Sequence, residues 1–340
     1  MIITLILLVA MCLWGIQTGK GRAYEGYISK GRSNAIKGQF ILIVFLSHIQ
    51  NYIVNAGYVY HGLGDEAFLM FFNMIGQLMV VMFLFYSGFG VMESIRIKGD
   101  TYIRTIPKHR VLNTLVNFDI AVCFFLIVDL LIGKETSLQK FILSLTTWDN
   151  LGNSNWYIFS ILVCYFVTGI LARVLDTTNL PGGVFVVLTI VSFGLYFAKE
   201  PWWYNTLWAY PAGMFFSVNK NNIEDWADRR WLVVVSLLLL TFCLINMIPF
   251  GAAGFKHNSL SVVFALLIVV LSMRIRIDNK MLRWCGELLF PLYIYQRIPM
   301  MVMAALVPSF VVQMPLLYIA ICFTSTILMA YLYRFIKVSL

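Results

Sequence analysis

The fold class this sequence predicts is an all-α multi-pass membrane protein. Three observations carry it. Of the 340 residues, 60% are hydrophobic and only 12% are charged, about half the share usual in a soluble domain. Mean hydropathy is +0.82. Apolar runs of spanning length recur along the chain, and the loops between them alternate between cation-rich and cation-poor.

The runs fall near 2–17, 38–58, 68–92, 111–132, 155–174, 184–198, 204–218, 231–249, 258–273, 286–307 and 315–336. They predict about 11 transmembrane helices, an N-terminal anchor plus a ten-helix core. The first run lacks a basic n-region and a small-x-small cleavage site, and Lys20, Arg22, Lys30, Arg32 and Lys37 follow it. It reads as an uncleaved anchor rather than a signal peptide. Residues 1–29 are thus an anchor helix with a basic cytoplasmic linker, and 30–340 a transmembrane domain. No polar stretch is long enough to bury a core of its own, and no internal repeat is visible.

One set of loops carries twenty cations, among them Arg96, Lys98, Arg104, Lys108, Arg110, Arg274, Arg283, Arg334 and Lys337. The other set carries only Lys134, Lys140, Lys199 and Lys256. The positive-inside rule puts the first set in the cytoplasm. The N-terminus is then outside and the C-terminus inside, in keeping with an odd number of spans. The net charge of +9 is therefore a topology signal and not a nucleic-acid patch. The cysteines at 12, 123, 164, 243, 285 and 322 lie inside apolar runs with no ligand-type spacing. They read as small buried hydrophobes, with neither a disulfide framework nor a metal site.

Lys37 and His48 are the most informative pair. In a helix, eleven steps of 100° return close to one face, with an axial rise of about 16 Å. A cation at the membrane edge and an imidazole about halfway across should line one wall. Imidazole titrates near neutrality and is the natural general base for a hydroxyl nucleophile. A histidine hydrogen-bonded to a neighbouring helix is the structural alternative.

Other residues are costly to place or form local patterns. The segment Arg104-Thr-Ile-Pro-Lys108-His109-Arg110 reads either as an orientation signal or as a phosphate clamp. Ser87, Gly88 and Gly90 close the third span and permit close helix approach. Trp156 and Tyr157 open the fifth span, and Trp202-Trp203-Tyr204 lies at an outer edge. An interfacial aromatic belt explains both groups, and a sugar platform is the alternative for the second. Asp129 nears the outer surface, and Asp119 is deeper and needs a partner. Glu287 and Arg297 flank Pro291, Tyr293 and Gln296 on one predicted helix, either as a structural charge pair or as substrate contacts. Pro291 would kink that helix.

Taken in order, these residues resemble the acyltransferase-3 family, integral-membrane enzymes that O-acylate carbohydrates and similar acceptors. The likeness runs from about residue 30 to the C-terminus. Lys37 to His48 is similar to the family's arginine, ten residues, histidine pattern. Phe83-Leu-Phe-Tyr-Ser87-Gly88-Phe89 looks like its aromatic run ending in Ser-Gly-Phe. Arg110 matches its loop arginine best. Trp156-Tyr157, Tyr210-Pro-Ala-Gly213-Met214 and Gly286-Glu287 through Tyr293-Ile-Tyr295-Gln296 follow in order. Lys37 stands where the family has arginine, keeping the charge but not the bidentate fork. Asn113 or Thr114 stands where a second loop arginine is expected, and Gln296 where a late histidine is usual.

The resemblance implies acyl transfer from cytoplasmic acyl-CoA, most simply acetyl-CoA, to a cell-surface or exported polysaccharide. It implies no permanent cofactor and places the protein in a bacterial inner membrane. Lys37, Arg104, Lys108 and Arg110 would take the nucleotide end of CoA, with His48 as general base. Ser87, Trp156, Tyr157, Glu287, Tyr293, Gln296 and Arg297 would line the site. A transporter or glycan exporter with His48 in a proton relay is the competing reading.

Overall fold

The computed structural model describes residues 1–19, 24–248, 254–277 and 279–340. Lys20, Arg22 and the end of the 231–249 run lie outside the described residues. The described chain is almost wholly helical. Helix α1 (Ile2–Leu13) packs against α3 (Gly62–Ile75). The ammonium of Met1 joins them, 2.9 Å from the Asp65 carboxylate, which also accepts from Tyr58 Oη. The pairing of β1 (Gln17–Thr18) with β2 (Ile275–Arg276) is antiparallel and ties the segment after α1 to the far end of α13 (Phe255–Arg274).

Helix α2 (Lys30–Asn55) runs unbroken for 26 residues, about 39 Å of helix. Lys37 and His48 therefore share one helix, as their spacing predicts. The predicted span 68–92 crosses a joint. Gly76 adopts φ +44 and opens a 3-10 turn through Val80, between α3 and α4 (Val81–Lys98). Helix α5 (Asp100–Ile103) precedes a π-helical turn, Ile106–Leu112, which feeds α6 (Asn113–Leu131). Helix α7 (Leu138–Leu145) is capped by Ser137. It is followed by α8 (Asn155–Leu171), α9 (Leu180–Tyr196) and α10 (Ala209–Val218). The 204–218 run is helical only from Ala209. Helix α11 (Lys220–Arg229) meets α12 (Trp231–Met247) at 101°.

The predicted single helix 286–307 is interrupted at Leu288 and, more slightly, at Gln296, with Leu289–Leu306 still one stretch of spanning length. Its pieces are α14 (Lys280–Glu287), α15 (Leu289–Tyr295) and α16 (Arg297–Leu306). Prolines explain both breaks. Pro291 has no N–H for the Glu287 carbonyl, and Pro299 none for the Tyr295 carbonyl. The chain turns at Leu288 and Gln296 accordingly. Helices α17 (Pro308–Gln313) and α18 (Pro315–Ile336) complete the fold.

Among the described residues, five helical stretches are long and apolar enough to cross a membrane, or six if the bent α11–α12 pair is one span. The eleven apolar runs outnumber them for local reasons. Helices α8 and α9 have 17 residues each, about 26 Å and short for a ~30 Å hydrocarbon core. Helix α2 is long enough but carries Lys, Arg, Gln and Asn side chains. Of the cysteines, Cys12, Cys164, Cys285 and Cys322 are buried as expected, whereas Cys123 and Cys243 are exposed on apolar helices. Asp129 is fully buried and paired to Lys134 at 2.9 Å, with Thr136 as a further donor. Asp119 Oδ1 has no hydrogen-bond partner.

Two helix crossings share one device. In α4 against α10, a methyl group added at Gly88 would overlap the Tyr210 carbonyl, and one at Gly213 would overlap the Phe85 carbonyl. In α2 against α14, a methyl at Gly38 would overlap the Leu282 carbonyl, and one at Gly286 the Asn34 carbonyl. Each crossing is reciprocal, one glycine from each helix seated on the other's backbone. In lipid, where apolar burial gives no drive to association, such contact and its Cα–H···O geometry hold helices together. Gly213→Ala should therefore lower the melting temperature of the detergent-solubilised protein, at a cost of about 1–3 kcal/mol for overpacking. Gly90→Ala, where nothing lies within 4 Å of the added methyl, should leave it unchanged or slightly raised.

Candidate active site

His48 projects from α2 into a cavity of about 520 Å³. The Asn-rich loop ahead of α8 builds much of its wall. Asn155 anchors that loop by donating to the Thr147 and Asp149 carbonyls, both at 2.7 Å. Thr147 takes the left-handed conformation, φ +63, which turns Trp148 and Asp149 toward the cavity. Lys199 Nζ sits 4.0 Å from the Trp148 ring centre and 4.4 Å from that of Trp203. It also donates to the Trp148 carbonyl at 2.6 Å. Desolvation against these indoles draws the Lys199 pKa down, with Glu200 and Asp149 opposing the shift. Trp202, also on the wall, stays 44% exposed.

Ser154 is the hub of the imidazole's surroundings. Arg297 Nη1 approaches its Oγ at 3.3 Å, and His48 Nε2 lies 3.2 Å away. Arginine can only donate, so Ser154 accepts from Arg297. The hydroxyl, with one proton and a second lone pair, can meet His48 Nε2 as donor or as acceptor according to the ring's tautomer. The Tyr293 hydroxyl approaches Ser154 from the other side without a well-formed hydrogen bond. Gln296 is buried beside the imidazole. Neither His48 Nδ1 nor Gln296 Oε1 has a well-formed partner, so each is the natural complement of the other. A guanidinium over Tyr52, 5.5 Å to the ring centre, thus holds the serine that His48 meets.

A second cavity, a slot of about 270 Å³, lies on the other side of Tyr293. Lys37, Ser87, Arg110, Tyr157 and Tyr293 are on its walls. Ser87 Oγ and Tyr165 Oη are 2.7 Å apart. Arg110 donates to Tyr102 Oη at 3.0 Å and lies 5.8 Å from the Tyr165 ring centre. The rings of Tyr157 and Tyr293, both on the slot's lining, have centres 5.1 Å apart, and the imidazole of His48 stands 6.3 Å from Tyr293. Arg110, Thr114 and Phe290 also belong to a third cavity of about 570 Å³, so the slot and this vestibule share a rim.

The sequence expectations divide accordingly. Lys37, Arg110, Ser87, Tyr157 and Tyr293 do come together. Lys37 and His48 share a helix but open on different cavities, with the tyrosine pair between. Trp156 faces the His48 cavity, whereas its neighbour Tyr157 faces the slot. Arg104 and Lys108 are exposed and line none of the three cavities. Of that basic segment, half-buried Arg110 and exposed His109 line the third cavity. Glu287 and Arg297 are no charge pair, because the breaks at Leu288 and Gln296 send one to the vestibule and the other to the His48 cavity. Ser154 escaped the sequence reading, and its only signal is its place just before Asn155-Trp156-Tyr157. Among the described residues, no three of His, Cys, Asp and Glu gather as a metal-binding group.

Fold and site define a helical membrane protein with a half-buried imidazole held against a serine, and that serine against an arginine, on the wall of a cavity. A family model described as an acyltransferase domain matches residues 31–334. The chain belongs to the acyltransferase-3 family, and it is a membrane acyltransferase. No curated protein matches the chain, and no solved structure does.

The hydrogen-bond hub makes a spectroscopic prediction. Nitrogen-15 shifts of His48 should report a neutral ring protonated at Nδ1, and Ser154→Ala should convert that signal into a mixture of tautomers. An unaltered Nδ1–H signal in the variant would remove Ser154 from this role.

Proposed function

We propose that the protein is an O-acyltransferase, most simply an O-acetyltransferase. It moves an acyl group from cytoplasmic acyl-CoA to a hydroxyl of an exported or cell-surface polysaccharide, or its precursor. The observation that carries this reading is a pair of neighbouring cavities, with Tyr293 on the lining of one lying against His48 on the lining of the other. The slot, with Lys37 and Arg110, suits a thin, anion-tipped donor arm. The His48 cavity, with its indole faces and amide side chains, suits a sugar. In this reading the slot end is cytoplasmic, and the membrane is a bacterial inner membrane.

The chemistry follows from the hydrogen bonds. An acceptor hydroxyl takes the place of Ser154 Oγ on His48 Nε2. The imidazole removes its proton as the oxygen attacks the thioester carbonyl. Collapse of the tetrahedral intermediate breaks the C–S bond, and the proton passes from the imidazolium to the CoA sulfur. Tyr293 and Arg297 are the nearest donors for the developing oxyanion. The thioester reaches this point past the Tyr157 and Tyr293 rings, which must rotate to admit it. The thioester is already activated, so the step requires no metal.

Purified protein supplied with labelled acetyl-CoA and candidate glycans should transfer label. His48→Ala should abolish transfer while leaving the melting temperature unchanged, a loss of at least about 10²–10⁴-fold for removal of a general base. Full activity in that variant would sink the mechanism. Lys37→Ala should raise KM for the donor more than it lowers kcat, and Lys37→Arg should restore it, since the slot needs the charge at that point rather than the lysine itself.

A further inference from the structure

The vestibule of about 570 Å³ has one wall made by residues the donor-binding expectation did not include. Arg334, near the end of α18, and Lys337, just beyond it, face the same space as His109 and Arg110. The segment after α18 is not loosely placed. Asn117 of α6 donates to the Val338 carbonyl at 2.8 Å and accepts from the Val338 N–H at 3.1 Å. Asn113 accepts from the Leu340 N–H at 3.2 Å, and Tyr333 Oη donates to Asn117 Oδ1 at 2.9 Å. Asn117 itself is buried. Three hydrogen bonds from two side chains of α6 thus hold the 337–340 segment beside the vestibule, and a fourth ties Asn117 to Tyr333 of α18.

What the vestibule offers is specific in kind. Arg110, Arg334 and Lys337 are permanent cations, His109 is a further nitrogen donor, and Glu287 is the one carboxylate on the lining. Trp284, 37% exposed, adds a flat indole face. Arginines and lysines clamp phosphates, and an indole stacks on a purine. The vestibule meets the slot at Arg110, where the donor arm would begin.

We infer that the vestibule is the binding site for the 3′-phosphorylated ADP moiety of the acyl donor, with Arg334 and Lys337 as its phosphate-binding cations and Trp284 as its base platform. This rests on the acyl-CoA reading above. It replaces Arg104 and Lys108 with residues of the α18 end, and it makes Asn113 and Asn117 positioning residues for the segment carrying Lys337.

Arg334 and Lys337 are exposed, so their replacement leaves the buried core untouched. The full-length protein in detergent is tested with adenosine 3′,5′-bisphosphate and with acetyl-CoA. The Arg334→Ala/Lys337→Ala double variant should weaken bisphosphate binding by at least about tenfold, as expected for loss of charged hydrogen bonds to phosphate. KM for acetyl-CoA should rise in parallel with kcat preserved, and Lys337→Arg in the Arg334 background should recover the lysine's share. Unchanged bisphosphate affinity in the double variant, or no bisphosphate binding by the unaltered protein, would overturn the assignment. Failure of the wider reading looks different: the unaltered protein would then transfer no acetyl group to any glycan.

Discussion

Everything in the molecule that has chemical consequence hangs on two places where backbone touches backbone. Gly88 and Gly213 let α4 and α10 meet without side chains between them, and Gly38 and Gly286 do the same for α2 and α14. Lipid tails are as apolar as leucine, so a bundle in a bilayer gains little from merely hiding apolar surface. It must gain from close approach, and only glycine removes the Cβ that forbids it. These crossings fix the position of Ser87 beside Gly88, of Lys37 beside Gly38 and of Glu287 beside Gly286. The side chains that line the slot and its vestibule are thus placed by their immediate neighbours' lack of a side chain.

The second constraint is proline. A straight helix from 286 to 307 would run past His48 as a smooth rod. Pro291 and Pro299 interrupt its hydrogen-bond ladder, and Gln296 and Arg297, between the two prolines, lie beside the imidazole and its serine. Arg297 is the charge that orders Ser154, and Ser154 orders His48. In the proposed reaction, a base already oriented by its neighbours has less to lose in orientation when the acceptor arrives.

Much of this was legible in the sequence, in proportion to how local each property is. The shared helix of Lys37 and His48 follows from a spacing of eleven, since helical phase is set by the chain itself. The close approach at Gly88 was legible for the same reason. What lies between Lys37 and His48 was not: Tyr157 and Tyr293 come from α8 and α15, and only the tertiary fold puts their rings together. Arg104, Lys108 and Arg110 are indistinguishable by charge, yet only Arg110 finds Tyr102 and Tyr165 to lie against. Ser154 carries no sequence signal stronger than its neighbours. Arg334 and Lys337 read as topology markers because a cation at a helix end serves that purpose whether or not it also binds a ligand. Pro291 announced one break, and Pro299 went unread as the second.

The edge-to-face rings of Tyr157 and Tyr293 have a consequence beyond packing. A membrane protein with polar cavities in its interior risks becoming a wire if water joins them. Moving one proton across 100 mV releases about 2.3 kcal/mol, and a continuous thread of water ending on an imidazole is a good conductor. Two aromatic rings 5.1 Å apart at centre, with His48 6.3 Å from the second, put apolar surface where such a thread would have to pass. Tightly packed rings between two polar cavities act as insulation as well as structure.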